Sequence, residues 1–217
     1  MVCPHISEFD VTSPVSVDAA FADSPAISFS QSWLLQSQPG LAAGSVRIGW
    51  HGDQFCFDAQ LQDAGLFTSA KHRNEMLYEL GDTLEFFAGA AGANSYVEYH
   101  YAPNGVILQL LWPTNARSLD IPSMGGVQAF AIEENQSTSA VLPICGGWRV
   151  CAKVQFPDLS NASGTLEGRE IDLNFGRYDY ADAETPPVLS STSVLPRCCF
   201  HDRQNWRLVV CEEPQSA

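Results

Sequence analysis

The sequence predicts an all-β protein: a β-sandwich of two antiparallel sheets with a jelly-roll-like path and few short helical turns. About ten short segments alternate apolar and polar residues with a period of two, which is typical of half-buried strands. Glycine, proline and asparagine separate these segments, and hardly any segment has a helical period. Since the 217 residues show no internal repeat or low-complexity tract, we expect a single domain over residues 1–217.

Residues 1–40 are expected to form an edge strand and loops. This stretch contains several prolines and serines and has no helical periodicity. Trp33 lies in a segment that ends at Pro39-Gly40, and its aromatic ring is expected to hold this loop on the core.

The core is expected to begin with a hairpin over Val46 to Asp63. Two alternating runs flank Gly52-Asp53, and glycine supplies the positive φ that a tight hairpin turn needs. Residues 66–80 follow as a loop with one or two helical turns, because the apolar pattern there is too short and weak for a stable helix.

The next strand, Gly81 to Ala88, places a carboxylate among apolar residues. Leu84 and Phe86 share one face, and Glu85 shares the other with Phe87. Because an unpaired charge is costly to bury, Glu85 requires a partner.

A second hairpin is predicted for residues 96–101 and 106–112, around the turn Asn104-Gly105. Glu98 and His100 lie two residues apart and therefore share one face of the first of these strands. Glu85 and Glu98 thus belong to neighbouring predicted strands.

Several further elements are predicted along the second half of the chain. Residues 127–133 and 148–156 are expected to be strands, and residues 206–211 the closing strand. Residues 134–140 are expected to form a polar turn, and residues 182–196 a long loop.

The segment Arg169 to Tyr180 is predicted to be a buried strand that ends in polar groups. Its apolar residues alternate with polar ones including Asn174, and we expect the strand to stop at Gly176. Arg177 and two tyrosines follow, so a polar-ligand site is one interpretation of this edge. The alternative is that Asn174 and Arg177 only hold neighbouring backbone.

The charge balance limits the classes of molecule that the protein is expected to bind. With 25 acidic and 11 basic residues the formal net charge is −14, which repels nucleic-acid phosphates and anionic membrane surfaces. No apolar run reaches the roughly 18 residues of a membrane span. Neutral or cationic ligands and divalent cations remain compatible with this charge.

The sequence does not fix the compartment. The first thirty residues lack a basic start and an apolar core, so the chain as given is expected in the cytoplasm, or in a secreted or periplasmic location if a leader was removed. The seven cysteines show no repeated C-x-x-C spacing and are expected to be mostly buried free thiols. The adjacent pair Cys198-Cys199 is an alternative redox or soft-metal site.

The order of the motifs resembles family 9 carbohydrate-binding modules and the wider family-9-like group of bacterial sandwich domains, which are related to DOMON domains. The resemblance spans residues 46–211. The motifs that carry it are, in order, Asp53-x-Phe55-x-Phe57-x-Ala59-x-Leu61-x-Asp63, Gly81-Asp82-Thr83-Leu84-Glu85-Phe86-Phe87, Tyr96-x-Glu98-Tyr99, Gly147-Trp148 to Phe156, Leu173-Asn174-Phe175-Gly176-Arg177, and Phe200-His201 with Trp206-x-Leu208.

This resemblance implies a non-catalytic module of a bacterial protein that binds a saccharide. It implies that Glu85 and Asn174 hydrogen-bond a terminal sugar. Two tryptophans clamp the sugar in the sugar-binding members, and the corresponding regions here offer Tyr78 and Tyr178. The full set of candidate ligand-binding residues is Glu85, Asn174, Arg177, Glu98, His100, Tyr78, Tyr178 and Trp112. No catalytic residue is predicted, because there is no G-x-S-x-G motif and nothing distinguishes an acid from a base.

Four other interpretations stay open. The resemblance also implies a structural calcium, for which Asp53, Asp63 and Asp82 are candidate oxygen donors. One alternative function is a haem-binding DOMON-type redox module, with Met76 and either His100 or His201 as iron ligands. Another is an accessory domain or subunit of a glycoside hydrolase. A zinc site would require the fold to bring together His100, His201, Cys198 and Cys199.

Overall fold

Two β-sheets pack face to face in the computed structural model, which describes residues 1–155 and 164–213. The two α-helices are α1 (Pro14–Ala20) and α2 (Leu77–Leu80), and four 3-10 turns cover Ala116–Ser118, Pro122–Met124, Val127–Phe130 and Arg203–Asn205. In chain order the strands are β1 (Val2–Cys3), β2 (Ile27–Ser28), β3 (Gly44–His51), β4 (Gln54–Gln62), β5 (Thr83–Ala90), β6 (Tyr96–Tyr101), β7 (Ile107–Trp112), β8 (Ser137–Ile144), β9 (Gly147–Gln155), β10 (Glu170–Asp179), β11 (Val188–Ser191) and β12 (Arg207–Cys211). The predicted fold class, a β-sandwich, is confirmed.

The larger sheet has the order β1-β12-β10-β5-β6-β7, and β11 pairs with the second half of β10. The smaller sheet has the order β2-β3-β4-β9-β8. All strand pairs are antiparallel except β1 with β12. Strand β10 therefore lies at the centre of the larger sheet, with β5 on one side and β11 and β12 on the other.

The core between the sheets consists of the apolar residues that the period of two places inside. Phe57 of the smaller sheet lies 5.2 Å from Phe86 and 5.1 Å from Phe175 of the larger sheet, measured between ring centroids. These three rings are fully buried, and burying such a side chain contributes roughly 1.5–3 kcal/mol.

The N-terminal segment covers the outer face of the smaller sheet. Val17 and Phe21 pack with Phe9 and Ile6 against this face, where Cys56 and Cys151 are buried. Helix α1 corrects the expectation of an edge strand and loops over residues 1–40. It is too short to show a period, but Ser13 caps it by accepting a hydrogen bond from the Ser16 N–H (3.3 Å), and Pro14 occupies its first turn.

Two of the predicted elements were wrong. Residues Val127–Phe130 form a 3-10 turn where a strand was predicted, and only Ala131 makes a bridge to β7. Strand β8 begins at Ser137, inside the predicted polar turn. The loop over residues 113–136 folds over the larger sheet, so several of its apolar residues are partly buried there without belonging to a strand.

The end of β10 also differs from the prediction. The strand continues past Gly176 to Asp179, because β11, which lies within the predicted loop 182–196, pairs with residues 176–179. Phe156, the last residue of the predicted strand 148–156, lies outside the described residues.

Four of the seven cysteines are buried free thiols, as expected: Cys3, Cys56, Cys151 and Cys211. Within the described ranges, no helix is long and apolar enough to cross a membrane.

Candidate functional site

A cavity of about 410 Å³ lies on the outer face of the larger sheet. Its floor comes from β5, β6 and β10, which contribute Glu85, Glu98 and Tyr178. Helix α2 and the loops over the sheet supply the walls. The remaining lining residues are Met76, Tyr78, Trp112, Ala116, Arg117, Ile121, Val127, Leu189, Cys198, Cys199, Phe200 and His201.

The strand register places the polar floor residues side by side. Glu85 on β5 lies directly opposite His100 on β6, and Phe87 lies opposite Glu98. Residues two apart on a strand share a face, so Glu85, Glu98 and His100 project together to the outer side. We call these three residues the glutamate cluster.

One imidazole serves both carboxylates of the glutamate cluster. His100 Nε2 lies 2.6 Å from Glu98 Oε1 and 3.2 Å from Glu85 Oε1. All three side chains are buried. Because His100 Nε2 has a single hydrogen, the two carboxylates share one donor.

Glu98 has the larger share of the hydrogen bonds. In addition to His100, the Trp112 indole N–H donates to Glu98 Oε2 at 2.6 Å, and His201 Nε2 lies 3.5 Å from the same oxygen. Burial raises the pKa of Glu98, but His201, His100 and Trp112 outweigh it and the net pKa is lowered. Glu98 is therefore a fixed anion.

Glu85 lacks such support. His100 is the one described residue that offers it a donor, and the remaining surface of its carboxylate faces the cavity. Burial raises the pKa of Glu85 to about 8; the charge of His100 opposes this rise and the charge of Glu98 adds to it. A ligand that brings a hydrogen-bond donor would give the Glu85 carboxylate the donor that the fold does not supply.

His100 is held as a donor by its two acidic neighbours. Burial lowers its pKa, but Glu85 and Glu98 outweigh burial and the net pKa is raised. Its Nδ1 is buried and has no hydrogen-bond partner among the described residues. His100 thus supports the floor without lining the cavity.

Two tyrosines form one aromatic wall. The rings of Tyr78 and Tyr178 lie 5.7 Å apart between centroids and are tilted by 33°. Phe200 contacts Tyr178 edge to face at 5.7 Å. Since Tyr78 and Tyr178 touch each other, no sugar ring can lie between them, and they can only stack on one side of a ligand. Trp112 also lines the cavity, but its N–H is bound to Glu98 and its ring packs on Phe130 at 4.5 Å.

Asn174 lies beneath the cavity and not in its wall. It is fully buried, and its Oδ1 accepts hydrogen bonds from the Ser191 hydroxyl (2.7 Å) and the Ser193 N–H (3.2 Å). Its Nδ2 donates to the Phe200 carbonyl at 3.5 Å. Asn174 therefore holds the segment 191–200 on the sheet, which agrees with the interpretation that it ties down backbone.

The neighbouring Gly176 makes room for Phe200. A Cβ at this position would lie 2.5 Å from the Phe200 ring, so a side chain here would expel the ring from the cavity wall. The glycine in the motif thus shapes the cavity through Phe200.

Arg177 projects to the opposite face of the sheet from Glu85 and Asn174. Its Nη2 donates to the Gln62 carbonyl (2.6 Å) and lies 3.1 Å from Asp179 and 3.6 Å from Asp63. Arg177 therefore does not join the glutamate cluster, although the sequence grouped them. Arg177 instead lies beside a second group of acidic residues, Asp63, Asp82 and Asp179, which we call the aspartate cluster.

The aspartate cluster tests the predicted calcium site. Asp63 and Asp82 do come together, but Asp53 lies in the β3–β4 turn, where Gln155 donates to it. Both Asp82 oxygens accept backbone N–H groups, from Tyr180 (2.7 Å) and Phe67 (2.6 Å). Calcium needs six to eight oxygen ligands. Because Arg177 already brings a positive charge and the three carboxylates fall short of this ligand number, these residues do not fit a calcium ion.

The soft-metal and haem interpretations meet similar obstacles. Met76, Cys198, Cys199 and His201 all line the cavity. In the described parts of the chain, however, the candidate metal groups consist of the glutamate and aspartate clusters and include neither cysteine nor His201. A metal on His100 Nε2 would force the hydrogen onto Nδ1, which has no partner there.

Sequence reasoning missed the residues that come from loops. Phe200, Ile121 and Val127 were not predicted to line a site, since no local pattern distinguishes them from other apolar loop residues. Gly176 was a usable signal for Phe200, because a glycine within a buried strand indicates a close approach.

The chain was compared with known proteins. No family model and no curated protein matches its sequence. Among solved structures, one from Bacteroides uniformis, described as a candidate carbohydrate-binding protein, is similar with a TM-score of 0.72 and 16% identity, and covers 97% of both chains.

Two further similar structures are of a family 9 carbohydrate-binding module from Caldicellulosiruptor kristjanssonii. The complex with cellotriose has a TM-score of 0.67 and 12% identity and covers 100% of this chain and 94% of the other. The complex with glucose has a TM-score of 0.64 and 13% identity and covers 99% and 95%. The chain therefore has the fold of the family 9 carbohydrate-binding modules.

Proposed function

We propose that this chain is a non-catalytic saccharide-binding module of a bacterial protein, and that the cavity over the glutamate cluster is its binding site. The proposal depends on the position and the hydrogen bonding of Glu85. It lies at the floor of a cavity of about 410 Å³, is buried, and receives one shared donor from the described residues. Sugar hydroxyls supply donors of this kind, and Tyr78 and Tyr178 offer a face for the C–H groups of a sugar ring.

The similar structures support the ligand class. Their descriptions name carbohydrate binding, cellotriose and glucose, and the organisms they come from are bacteria. At identities of 12–16% the cavity itself can differ, so the ligand must be tested on this chain.

The geometry favours binding over hydrolysis. A glycosidase needs two carboxylates about 5–10 Å apart, one of which can attack or activate water. Here Glu85 and Glu98 both contact one nitrogen of His100, and Glu98 is also bonded to Trp112. Glu98 is therefore not free to act as a nucleophile or base.

Calorimetric titration with glucose and cellotriose tests this function. We expect binding that Glu85→Ala removes, because the variant loses the acceptor at the cavity floor. Glu79→Ala is the matched control: Glu79 is exposed on α2, does not line the cavity, and should leave the affinity unchanged.

Two results would contradict the proposal. One is the absence of binding by any mono- or oligosaccharide to a folded protein. The other is equal affinity of the wild type and Glu85→Ala, which would place the ligand elsewhere. A haem Soret band in the purified protein would instead favour the redox alternative.

A further inference from the structure

The charges of the glutamate cluster do not balance when all three of its groups are ionised. Glu85 and Glu98 are two carboxylates, and His100 is the one charged partner in contact with both. Glu98 also receives neutral donors, whereas Glu85 does not. When all three groups are ionised, Glu85 is left without a counter-charge of its own.

His201 does not supply the missing charge. The Tyr96 hydroxyl accepts a hydrogen bond from the Ala116 N–H (3.2 Å) and lies 2.8 Å from His201 Nδ1. The other ring nitrogen, His201 Nε2, lies 3.5 Å from Glu98 Oε2. His201 therefore faces Glu98 and not Glu85.

The wall beside Glu85 suits a positive charge. Tyr78, Tyr178, Trp112 and Phe200 line the cavity with aromatic rings, whose faces attract cations. Arg117 also lines it, but this side chain is exposed. The net charge of −14 raises the concentration of cations around the protein.

We propose that the cavity takes a sugar that carries a primary ammonium group, with the ammonium bound to Glu85. This inference rests on the proposed saccharide-binding function and narrows its substrate class to amino sugars. The ammonium supplies the hydrogen-bond donor and the charge that the fold withholds from Glu85. Charge-assisted hydrogen bonds are roughly twice as strong as neutral ones, which is the source of the preference over a hydroxyl.

Binding of an ammonium group also displaces a proton. Burial raises the pKa of Glu85 to about 8, so the free carboxyl is mostly protonated at neutral pH and must ionise to pair with a cation. The groups that face Glu85 are His100 and Glu98 from β6, Tyr78 from α2 and Tyr178 from β10. None of these has to change its protonation state when a neutral sugar binds.

The experiment compares glucosamine, glucose and N-acetylglucosamine by calorimetry near neutral pH. For the wild type we expect glucosamine to bind about tenfold more tightly than glucose. N-acetylglucosamine should bind no more tightly than glucose, because acetylation removes the charge. Glucosamine binding should release a proton, which is measured by repeating the titration in buffers of different ionisation enthalpy.

The variant Glu85→Gln tests whether the charge of Glu85 causes the preference for glucosamine. This variant keeps the shape of the side chain and removes its charge, so the preference for glucosamine should fall to about twofold or less. Glu79→Gln is the matched control and should keep the preference and the proton release.

The outcomes separate the two proposals. Binding of glucose with no preference for glucosamine overturns the amino-sugar inference and leaves the saccharide site standing, whereas failure of all three sugars overturns both. If Glu85→Gln does not fold, the wild-type affinities still decide, since equal binding of glucosamine and N-acetylglucosamine rules out an ammonium on Glu85. Displacement of glucosamine by stoichiometric Zn²⁺ would mark the cluster as a metal site and would also overturn the inference.

Discussion

Two clusters of largely buried carboxylates lie on opposite faces of the larger sheet, and the fold pairs them with different groups. In the aspartate cluster, the guanidinium of Arg177 contacts Asp63 and Asp179, and each oxygen of Asp82 accepts one backbone N–H group. In the glutamate cluster, one imidazole serves two carboxylates, and Glu85 faces the cavity of about 410 Å³. The fold thus supplies the first cluster with a guanidinium, although Asp63 Oδ2 has no hydrogen-bond partner among the described residues, whereas it supplies Glu85 with one shared imidazole.

Burial of acidic residues does not by itself mark a binding site. Both clusters bring three potential ligand groups within 4.8 Å of one another. The difference lies in their charges and hydrogen bonds. A cluster that the fold pairs with a guanidinium stabilises the fold, and a cluster whose carboxylate lacks a donor at a cavity is the better candidate for recognition.

The largest effect is expected from removing Arg177. Arg177→Met leaves the buried Asp63 and the half-buried Asp179 without their counter-charge, which should lower the free energy of unfolding by about 3 kcal/mol. Urea denaturation measures this loss. Arg197→Met, at an exposed arginine, should change stability by less than about 0.5 kcal/mol. Equal stability of the two variants would show that the aspartate cluster does not depend on Arg177.

The glutamate cluster should make the stability of the protein fall as the pH rises towards about 8. A carboxyl whose pKa is raised on folding stabilises the protein fully below its unfolded pKa, and this contribution is lost as the pH rises to the folded value, about 8 for Glu85. Between about pH 5 and pH 8, the stability of the wild type relative to Glu85→Gln should fall by up to about 1.4 kcal/mol per pH unit.

Unfolding by urea at several pH values checks this second prediction. A parallel pH dependence for the wild type and Glu85→Gln would mean that Glu85 is not protonated in the free protein. A raised pKa of Glu85 would then no longer distinguish the glutamate cluster from the aspartate cluster.

A smaller effect is expected at the aromatic wall. Tyr78→Ala removes a stacking face and should weaken saccharide binding by about five- to tenfold, or about 1 kcal/mol. Tyr78→Phe keeps the ring and should bind nearly as well as the wild type. If Tyr78→Phe instead lost as much affinity as Tyr78→Ala, the hydroxyl and not the ring face would contribute the affinity.

The smallest effect is expected from calcium. A site filled at one hundred times its dissociation constant would stabilise the protein by about 2.7 kcal/mol. Since the Arg177 guanidinium already lies beside Asp63 and Asp179 and would repel a cation, adding Ca²⁺ or EDTA should leave the melting temperature unchanged. A calcium-dependent rise that Asp63→Asn abolishes would show that the cation displaces the guanidinium.

Much of the fold follows from local patterns in the sequence. The alternation around Phe57, Phe86 and Phe175 correctly placed these rings between the sheets, because the period of a strand decides which side chains face inward. The same rule put Glu85, Glu98 and His100 on one side of their strands. It failed at α1 and at Val127–Phe130, where short turns are set by capping and by packing on the sheet.

The sequence by itself determined the sandwich and the alternation that directs Glu85 to the outer face. Only the tertiary structure decided that Asn174 holds backbone, that Arg177 faces away from the cavity, and that Tyr78 and Tyr178 touch each other. The physical reason is that a period of two fixes the direction of a side chain within its own strand. The partner that it meets depends on strand order, register and loops that return from distant parts of the chain.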